Sequence, residues 1–382
     1  MPVYLNNAAT SYPKPVSVLA AVNTILQKCP YDATRTGFLP EGTDVISECR
    51  DAVAGLFNVH DRNRIFFSSG ATESLNLVLR GMALQGKHVV TTAIEHNSVL
   101  RPLKTMERDG VMDLSIVPCD ADGSVSPDAV TDAIGDSTAV VVVNHCSNVT
   151  GTVTDLKKIG RYTRDNDVVF IVDGSQSAGT YPIDVQEMNI DVLAFTGHKS
   201  LYGIQGIGGA YIREGINVRP LKVGGTGSRS DYLYQPEAVP LLYEAGTMNM
   251  AGIASLNAGI THLAEGRLAG MRRKKEMIAG NLKERLEQHS AIRTYPGREY
   301  KTPVSLFSFT VDGLEPEDIG YMLEYSFGII TRTGLHCAPL IHRYLGTSPL
   351  GSVRVSPSSL TTDGECESFM RAVGTIIAKA GR

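Results

Sequence analysis

The sequence contains no apolar run as long as the roughly 20 residues that a membrane-spanning helix needs. Its first residues, MPVYLNNAATSYPKP, have neither the basic segment nor the apolar segment of a secretory signal. Basic residues are not in excess, since 36 Lys and Arg stand against 40 Asp and Glu, a formal net charge of −4. These absences predict a cytoplasmic protein with no membrane and no nucleic-acid partner.

Cysteine is also sparse, and its spacing is uninformative. The chain has no C-x-x-C pair and nothing that resembles a disulfide framework or a zinc site, so we expect no metal. Most of the cysteines are expected to be small buried hydrophobic residues, Cys337 being treated separately below. The six positions are Cys29, Cys49, Cys119, Cys146, Cys337 and Cys366.

The 382 residues suffice for two domains, each with its own core. Between about residues 64 and 212, short apolar runs rich in β-branched residues alternate with segments of helical periodicity. Such runs indicate strands covered on both faces, and the alternation predicts an α/β fold with a mostly parallel sheet. The seven predicted strands are RIFFSS, HVVTTA, DLSIVP, TAVVVVN, VVFIVD, DVLAFTG and GGAYIR.

The last third of the chain has a different pattern. A long helical stretch, about 250–288, precedes the strand-like PVSLFSFTV and SVRVSP and a final helical segment. This pattern predicts a smaller α+β domain, with the long helix connecting it to the large one. We place the large domain at 15–250 and the small domain at 1–14 and 251–382.

Polar clusters follow several predicted strands, at the sheet edge where α/β proteins bind ligands. In SSGATESLN, Gly70 permits a tight turn, and the N–H groups of Ala71 and Thr72 begin a helix. That arrangement is either a phosphate cradle or a simple helix cap. His96 in AIEHNSVL is either a site residue or a structural histidine. Asp173 in FIVDGSQSAG either pairs with a cation or caps the following turn.

The fourth cluster, DVLAFTGHKSLYG, places Lys199 after a strand and 26 positions beyond Asp173, about one strand-to-strand step. An aspartate to hold a pyridinium and a lysine to form an imine are what pyridoxal phosphate requires. Burial and neighbouring positive charge can keep such an amine neutral. Other nucleotide motifs fail, because GHKS lacks the upstream glycine of a P-loop and GIQGIGG is not G-x-G-x-x-G.

These segments, in this order along nearly the whole chain, resemble the cysteine desulfurase and selenocysteine lyase family. That family belongs to the class V aminotransferase group of pyridoxal-phosphate enzymes. The resemblance implies the fold type I transferase architecture, with a seven-stranded sheet in the large domain, and pyridoxal 5′-phosphate as cofactor. It is carried by YLNNAAT, SSGATESLN, EHNSVLRP, NHCSNVTG, VDGSQSAG, TGHKSLYG, EAGTMN, RTGLHCAP and VRVSPS.

The resemblance implies a role for each matching residue around the cofactor ring. Lys199 forms the imine and later carries protons, and Asp173 keeps the pyridine nitrogen protonated. His96 stacks on the ring, and Gln176 hydrogen-bonds the phenolic oxygen. The phosphate is held by Ala71, Thr72, Thr196 and His198, and by Thr247 of a second subunit, so a homodimer is implied.

The same resemblance assigns the substrate side. Asn148 and Arg354 face the amino acid, with the guanidinium of Arg354 binding its carboxylate. In RTGLHCAP, Cys337 is the nucleophile that takes sulfur from L-cysteine, leaving L-alanine and an enzyme persulfide, and His336 is a candidate to deprotonate it. The compact loop resembles the Suf-type group, which implies transfer of the sulfur to an acceptor protein. VRVSPSSLTT departs from the family's usual pattern after the arginine.

Three other functions remain open from the sequence. A selenocysteine lyase would act on L-selenocysteine with the same cofactor set. A class V aminotransferase would leave Cys337 incidental. A binding protein with a relict cofactor site is disfavoured, since Lys199, Asp173, His96 and Arg354 occur together.

Overall fold

The computed structural model describes residues 2–28, 44–227, 230–264 and 267–380. Within them, a central sheet has seven strands in the order β2-β8-β7-β6-β5-β3-β4, and only β8 runs antiparallel to its neighbours. The prediction of a mostly parallel seven-stranded sheet is confirmed. In chain order the strands are β2 Ile65–Ser68, β3 Lys87–Thr92, β4 Met112–Val117, β5 Thr138–Asn144, β6 Val169–Asp173, β7 Val192–Thr196 and β8 Gly208–Ile212.

Helices cover both faces of this sheet, and two apolar cores fill the space between. The central strands are apolar on both faces because both are buried, as the continuous valine run of β5 illustrates. The helices are α1 Val16–Gln27, α2 Val45–Phe57, α3 Ala71–Gly81, α4 Asn97–Arg108, α5 Pro127–Asp132, α6 Leu156–Asp165 and α7 Met250–Ala264.

A second, smaller sheet has four antiparallel strands in the order β12-β13-β10-β9 and its own apolar core. The N-terminal strand β1, Val3–Tyr4, pairs in parallel with β11 beside it. The remaining elements are α8 Leu268–Leu286, β9 Ile292–Tyr295, β10 Phe307–Val311, α9 Pro316–Phe327, β11 Ile329–Ile330, β12 Arg332–Gly334, α10 Ile341–Tyr344, β13 Ser352–Val355 and α11 Asp363–Ala380.

The single long helix predicted over 250–288 is wrong, because the described residues form two helices, α7 and α8. Helix α7 packs on the core of the large sheet, whereas α8 packs on both cores, since Leu268 and Met271 at its start contact the large one. Ile253 and Leu256 of α7 join the core of the large sheet, whereas Ile278 and Leu282 of α8 join the smaller core. The exact division of the chain at residue 250 stays a prediction.

In the part of the chain that the structure describes, no helix combines the length and the apolar character needed to cross a bilayer. Of the cysteines, Cys49, Cys119, Cys146 and Cys366 are buried and Cys337 is half-buried. Cys29 lies outside the described residues.

Helix α6 approaches the chain near Met188 so closely that only glycine fits at Gly160, where a Cβ would overlap the carbonyl oxygen of Met188. We expect Gly160→Ala to lower the free energy of unfolding by about 1–3 kcal/mol, the usual cost of overpacking. Urea titration of both proteins measures the difference.

Gly55→Ala in α2 is the matched control, because a Cβ there meets nothing within 4 Å. This substitution should raise the free energy of unfolding by roughly 0.5–1 kcal/mol, the ordinary gain of alanine over glycine in a helix. Equal effects of the two substitutions would contradict the close approach of α6.

Candidate active site

A cavity of about 330 Å³ opens at the carboxyl ends of β5, β6 and β7 and at the start of α3. This volume lies within the range of small-molecule sites. Ten of the twelve predicted site residues line it, whereas Cys337 and Thr247 do not. The ten are Ala71, Thr72, His96, Asn148, Asp173, Gln176, Thr196, His198, Lys199 and Arg354.

One end of the cavity offers hydrogen-bond donors without acceptors. Gly70 caps α3, so the N–H groups of Ala71 and Thr72 are among those that a helix start leaves free. The buried Nδ1 of His198 has no partner among the described residues. A Cβ at position 208 would lie 2.7 Å from the Cα of Gly70, so only glycine at 208 allows the turn at Gly70 to pack against β8. This end suits an anion such as phosphate.

A carboxylate also lies at this end. Glu73 accepts the N–H of Ser69 at 2.8 Å and pairs with Lys222 at 2.6 Å. Burial favours the neutral carboxyl, but the hydrogen bonds from Lys222 and Ser69 outweigh that effect and lower the pKa of Glu73. Lys222 therefore neutralises the carboxylate in the first turn of α3.

The acid and the amine face the middle of the cavity from neighbouring strands. Asp173 ends β6, is 2% exposed, and accepts the N–H of Ser175 at 2.9 Å. Lys199 follows the end of β7. Burial lowers the pKa of the Lys199 amine to about 8; Asp173 opposes this shift, while Arg354 and Arg332 reinforce it. An amine with this pKa is partly neutral near physiological pH and can act as a nucleophile or base.

His96 is the N-cap of α4 and accepts the N–H of Ser98 at 3.1 Å through Nδ1. Because Nδ1 is an acceptor, the neutral ring carries its proton on Nε2. Burial lowers the pKa of His96 to about 4, so the ring is neutral at physiological pH. His96 is therefore a structural helix cap that also lines the cavity, and its role as a site residue stays a prediction.

On the substrate side, Arg354 is fully buried in β13. Its guanidinium donates to the carbonyl of Asn148 at 2.9 Å and to Oδ1 of Asn6 at 3.1 Å. Its Nε and the Oδ1 of Asn148 have no partner within the described residues. Burial lowers the pKa of Arg354 to about 9, and the positive charge of Arg332 adds to the shift. A buried cation of this kind suits an anionic ligand.

Cys337 lies on a neighbouring cavity and is oriented by two contacts. Its carbonyl accepts the N–H of Asn97 at 2.7 Å, and its Sγ lies 3.1 Å from Nη2 of Arg332. Nε2 of His336 contacts Ser352 Oγ, and its Nδ1 has no partner within the described chain, so the suggestion that His336 deprotonates the thiol stays a prediction. The guanidinium of Arg332 therefore fixes the position of the sulfur.

Thr247 lines a separate cavity of about 190 Å³, which shares Ser69, Glu73 and Gly206 with the main cavity. Within its own chain, Thr247 therefore does not reach the main cavity. The assignment of Thr247 to the phosphate of a second subunit stays a prediction.

Sequence reasoning missed two groups. Arg332 lines the main cavity and contacts Cys337. It is the first residue of the motif RTGLHCAP, but sequence reasoning assigned it no role. Glu95 precedes His96 and is completely buried, and burial raises its pKa to about 8. The charged residue four positions before the HC pair was a signal for Arg332, whereas nothing in the sequence indicates that Glu95 turns inward.

Comparison with known proteins identifies the family. The aminotransferase class-V family matches residues 3–369. A probable cysteine desulfurase of Methanothermobacter thermautotrophicus is 32% identical over 96% of this chain and 92% of its own length.

The chain belongs to the class-V aminotransferase family.

Other members of this family agree. The cysteine desulfurase IscS of Clostridium botulinum is 29% identical over 88% of this chain and 82% of its own. A cysteine desulfurase structure from Thermococcus onnurineus superposes with a TM-score of 0.91 at 29% identity, covering 99% of this chain and 95% of that one. The Escherichia coli cysteine desulfurase CsdA gives 0.87 at 26% identity, with the same coverage. The predicted family and fold are confirmed.

The lowered pKa of Lys199 predicts its reactivity. Without cofactor, reductive methylation of Lys199 by formaldehyde and cyanoborohydride should rise with pH around a midpoint of about 8, because burial disfavours the ammonium. Peptide mass spectrometry across a pH series measures this midpoint.

Asp173→Asn supplies the matched comparison. The carboxylate of Asp173 favours the protonated amine, so its removal should shift the midpoint to lower pH. A midpoint at the ordinary lysine value of 10.5 in the unmodified protein would show that the amine is not buried as described.

Proposed function

We propose that this protein is a pyridoxal-phosphate-dependent cysteine desulfurase that converts L-cysteine to L-alanine and places the sulfur on Cys337. The observation that carries the proposal is the combination in one cavity of Asp173, Lys199 with its lowered pKa, and the unpartnered donors at the start of α3. Cys337 lies on the adjoining cavity beside a guanidinium.

The residues present fit the cofactor. Ala71, Thr72, Thr196 and His198 would hold its phosphate, and the unpartnered buried Nδ1 of His198 is a donor or acceptor that such a group satisfies. When bound, pyridoxal phosphate supplies an electron sink for the charge that develops on the substrate carbon.

The other ring contacts come from three side chains. Asp173 would pair with the ring nitrogen, His96 would stack on the ring, and Gln176 would reach the phenolic oxygen. The Gln176 amide already donates to the carbonyl of Ala8 at 2.9 Å, which fixes its orientation. Each of these roles follows the family resemblance and is supported by the placement of the residue in the main cavity.

The chain's own groups supply binding and proton transfer. Arg354 and Asn148 would bind the substrate carboxylate, since a guanidinium fork matches two carboxylate oxygens. The Lys199 amine, with a pKa of about 8, can take and return a proton at the substrate Cα. Arg332 would hold the sulfur of Cys337 in place through its guanidinium.

Sulfur transfer is a displacement at sulfur. The Cys337 thiolate attacks the sulfur of the bound cysteine, a new S–S bond forms, and the Cβ–S bond breaks. The electron pair of that bond passes to Cβ, which takes up a proton to become the methyl group of alanine. The protein is left with a persulfide on Cys337.

The wider biological setting is part of the same proposal. We infer a cytoplasmic homodimer in which Thr247 of one subunit contributes to the phosphate site of the other. The sulfur would pass to an acceptor protein, with iron–sulfur cluster assembly as the process it supplies. Relatives that bear the name IscS support this inference.

Cys337→Ala should abolish persulfide formation and slow alanine release by about 10²-fold or more, because the nucleophile is lost. Mass spectrometry after exposure to L-cysteine should show an adduct of about 32 Da, one sulfur atom, on Cys337 only in the unmodified protein. The cofactor absorption band should remain in both proteins.

Cys119→Ala is the control, because this cysteine is buried and burial raises its pKa to about 12. It should keep the persulfide and the activity. Alanine formation at the full rate by Cys337→Ala would show that Cys337 is not the nucleophile. Transfer of the amino group to a keto acid, without release of sulfide, would indicate an aminotransferase instead.

Arg354→Lys should raise KM for L-cysteine by roughly 10- to 100-fold with a smaller effect on kcat, because lysine keeps the charge but loses the fork, a loss of about 1.5–3 kcal/mol. Steady-state kinetics measure the change. L-Cysteine methyl ester lacks the carboxylate charge, so the unmodified protein and the variant should differ little with it. An equal effect on acid and ester would argue for a structural role.

A further inference from the structure

Cys337 opens onto a second cavity of about 400 Å³ between α3 and α4, here called the arginine groove. Cys337 lines this groove and does not line the main cavity. The groove is lined by Thr72, Asn76, Arg80, His96, Asn97, Ser98, Arg101, Pro102, Thr105 and Cys337.

The two cavities share a wall. Thr72, His96 and Ser98 line both of them, so the half-buried thiol adjoins the main cavity on one side and the groove on the other. If the main cavity is filled by cofactor and amino acid, as proposed above, a second thiol reaches Cys337 only from the groove side.

The groove is positively charged and its charges are unpaired. Arg80 of α3 and Arg101 of α4 are exposed. Neither makes an ion pair or a side-chain hydrogen bond in the part of the chain that the structure describes, whereas Lys104, on the same helix as Arg101, pairs with Glu107. None of the described lining residues is acidic. An anionic partner is therefore favoured here.

Several polar groups suit a polypeptide in the groove. Pro102 lies inside α4 and has no N–H, so the carbonyl of Ser98 loses its usual helical donor. Side-chain amides of Asn76 and Asn97 also line the groove. The amide of Asn76 donates to the carbonyl of Thr72 at 2.9 Å, which leaves its Oδ1 as an acceptor, whereas the Asn97 side chain makes no hydrogen bond within the described residues. Such acceptors and donors can pair with the main chain of an extended segment.

We propose that the arginine groove receives an acidic cysteine-bearing segment of a protein that accepts the sulfur, an inference that rests on the proposed function. The acceptor thiolate attacks the outer sulfur of the Cys337 persulfide and forms a new S–S bond with it. The bond between that sulfur and Sγ breaks, and Cys337 leaves as a thiolate. The persulfide moves to the acceptor, and no external oxidant or reductant is needed.

The test separates loading from transfer. The holoenzyme is loaded with one turnover of ³⁵S-labelled L-cysteine, freed of excess substrate, and mixed with one of three peptides of equal length. Each peptide carries a single cysteine, flanked by glutamate, glutamine or lysine. Loss of label from Cys337 and its gain by the peptide are followed over time at low and high salt.

At low salt, the glutamate peptide should accept sulfur about tenfold or more faster than the lysine peptide, and the difference should shrink at high salt, where charges are screened. Arg80→Gln combined with Arg101→Gln should make the three rates equal and leave the loading step unchanged. Arg273→Gln, at an exposed arginine of α8 away from the groove, should keep the preference.

Equal rates for the three peptides with the unmodified protein would overturn the proposal, as would a double variant that keeps the preference for glutamate. If the double variant does not fold, the single charge reversals Arg80→Glu and Arg101→Glu should each favour the lysine peptide. Failure of the proposed function is a different result, since no label would then appear on Cys337 before any peptide is added.

Discussion

The parallel pairing of β6 with β7 is the constraint on which the rest of the site depends. Asp173 lies opposite Ala194 in this pairing, so the chain that leaves β7 must turn just above the carboxylate. Lys199 lies five residues beyond Ala194, in that turn. Backbone hydrogen bonds between β6 and β7 thus fix the backbone position of Asp173 relative to the turn that carries Lys199. Both strands lie in a core that tolerates little movement.

Segments far apart in the sequence hold the lysine turn in place. The carbonyl of His198 accepts the N–H of Ser11 at 3.0 Å and the ammonium of Lys14 at 2.9 Å. Arg354, from the smaller sheet, reaches back to Asn6 and to the carbonyl of Asn148. The N-terminal residues therefore join the two sheets at the cavity, and the substrate side is formed only when both cores are folded.

Nine of the ten predicted residues that line the cavity lie at or just after strand ends of the large sheet, because a parallel sheet brings such positions to one edge regardless of loop detail. Arg354 is the exception, since it lies within β13 of the smaller sheet. Asp173, Lys199 and the start of α3 follow this rule. The position of Cys337 does not, since its loop descends from the smaller sheet and docks on Asn97 through the backbone. The bond from Arg332 to sulfur and the division of the helix at 250–288 depend likewise on packing between distant segments, which spacing alone does not encode.

The main cavity is lined by more fixed positive charges than negative ones. Its positive side chains are Lys199, Arg332 and Arg354. Its carboxylates are Asp173 and Glu73, and Glu73 is neutralised by Lys222. Burial lowers the pKa of both Lys199 and Arg354, and the positive charge of Arg332 adds to both shifts, so the cationic forms are destabilised there. A phosphate at one end and a carboxylate at the other would each relieve this cost. Ligands that bring one anionic group to each end of the cavity would therefore match the fixed charges of this chain.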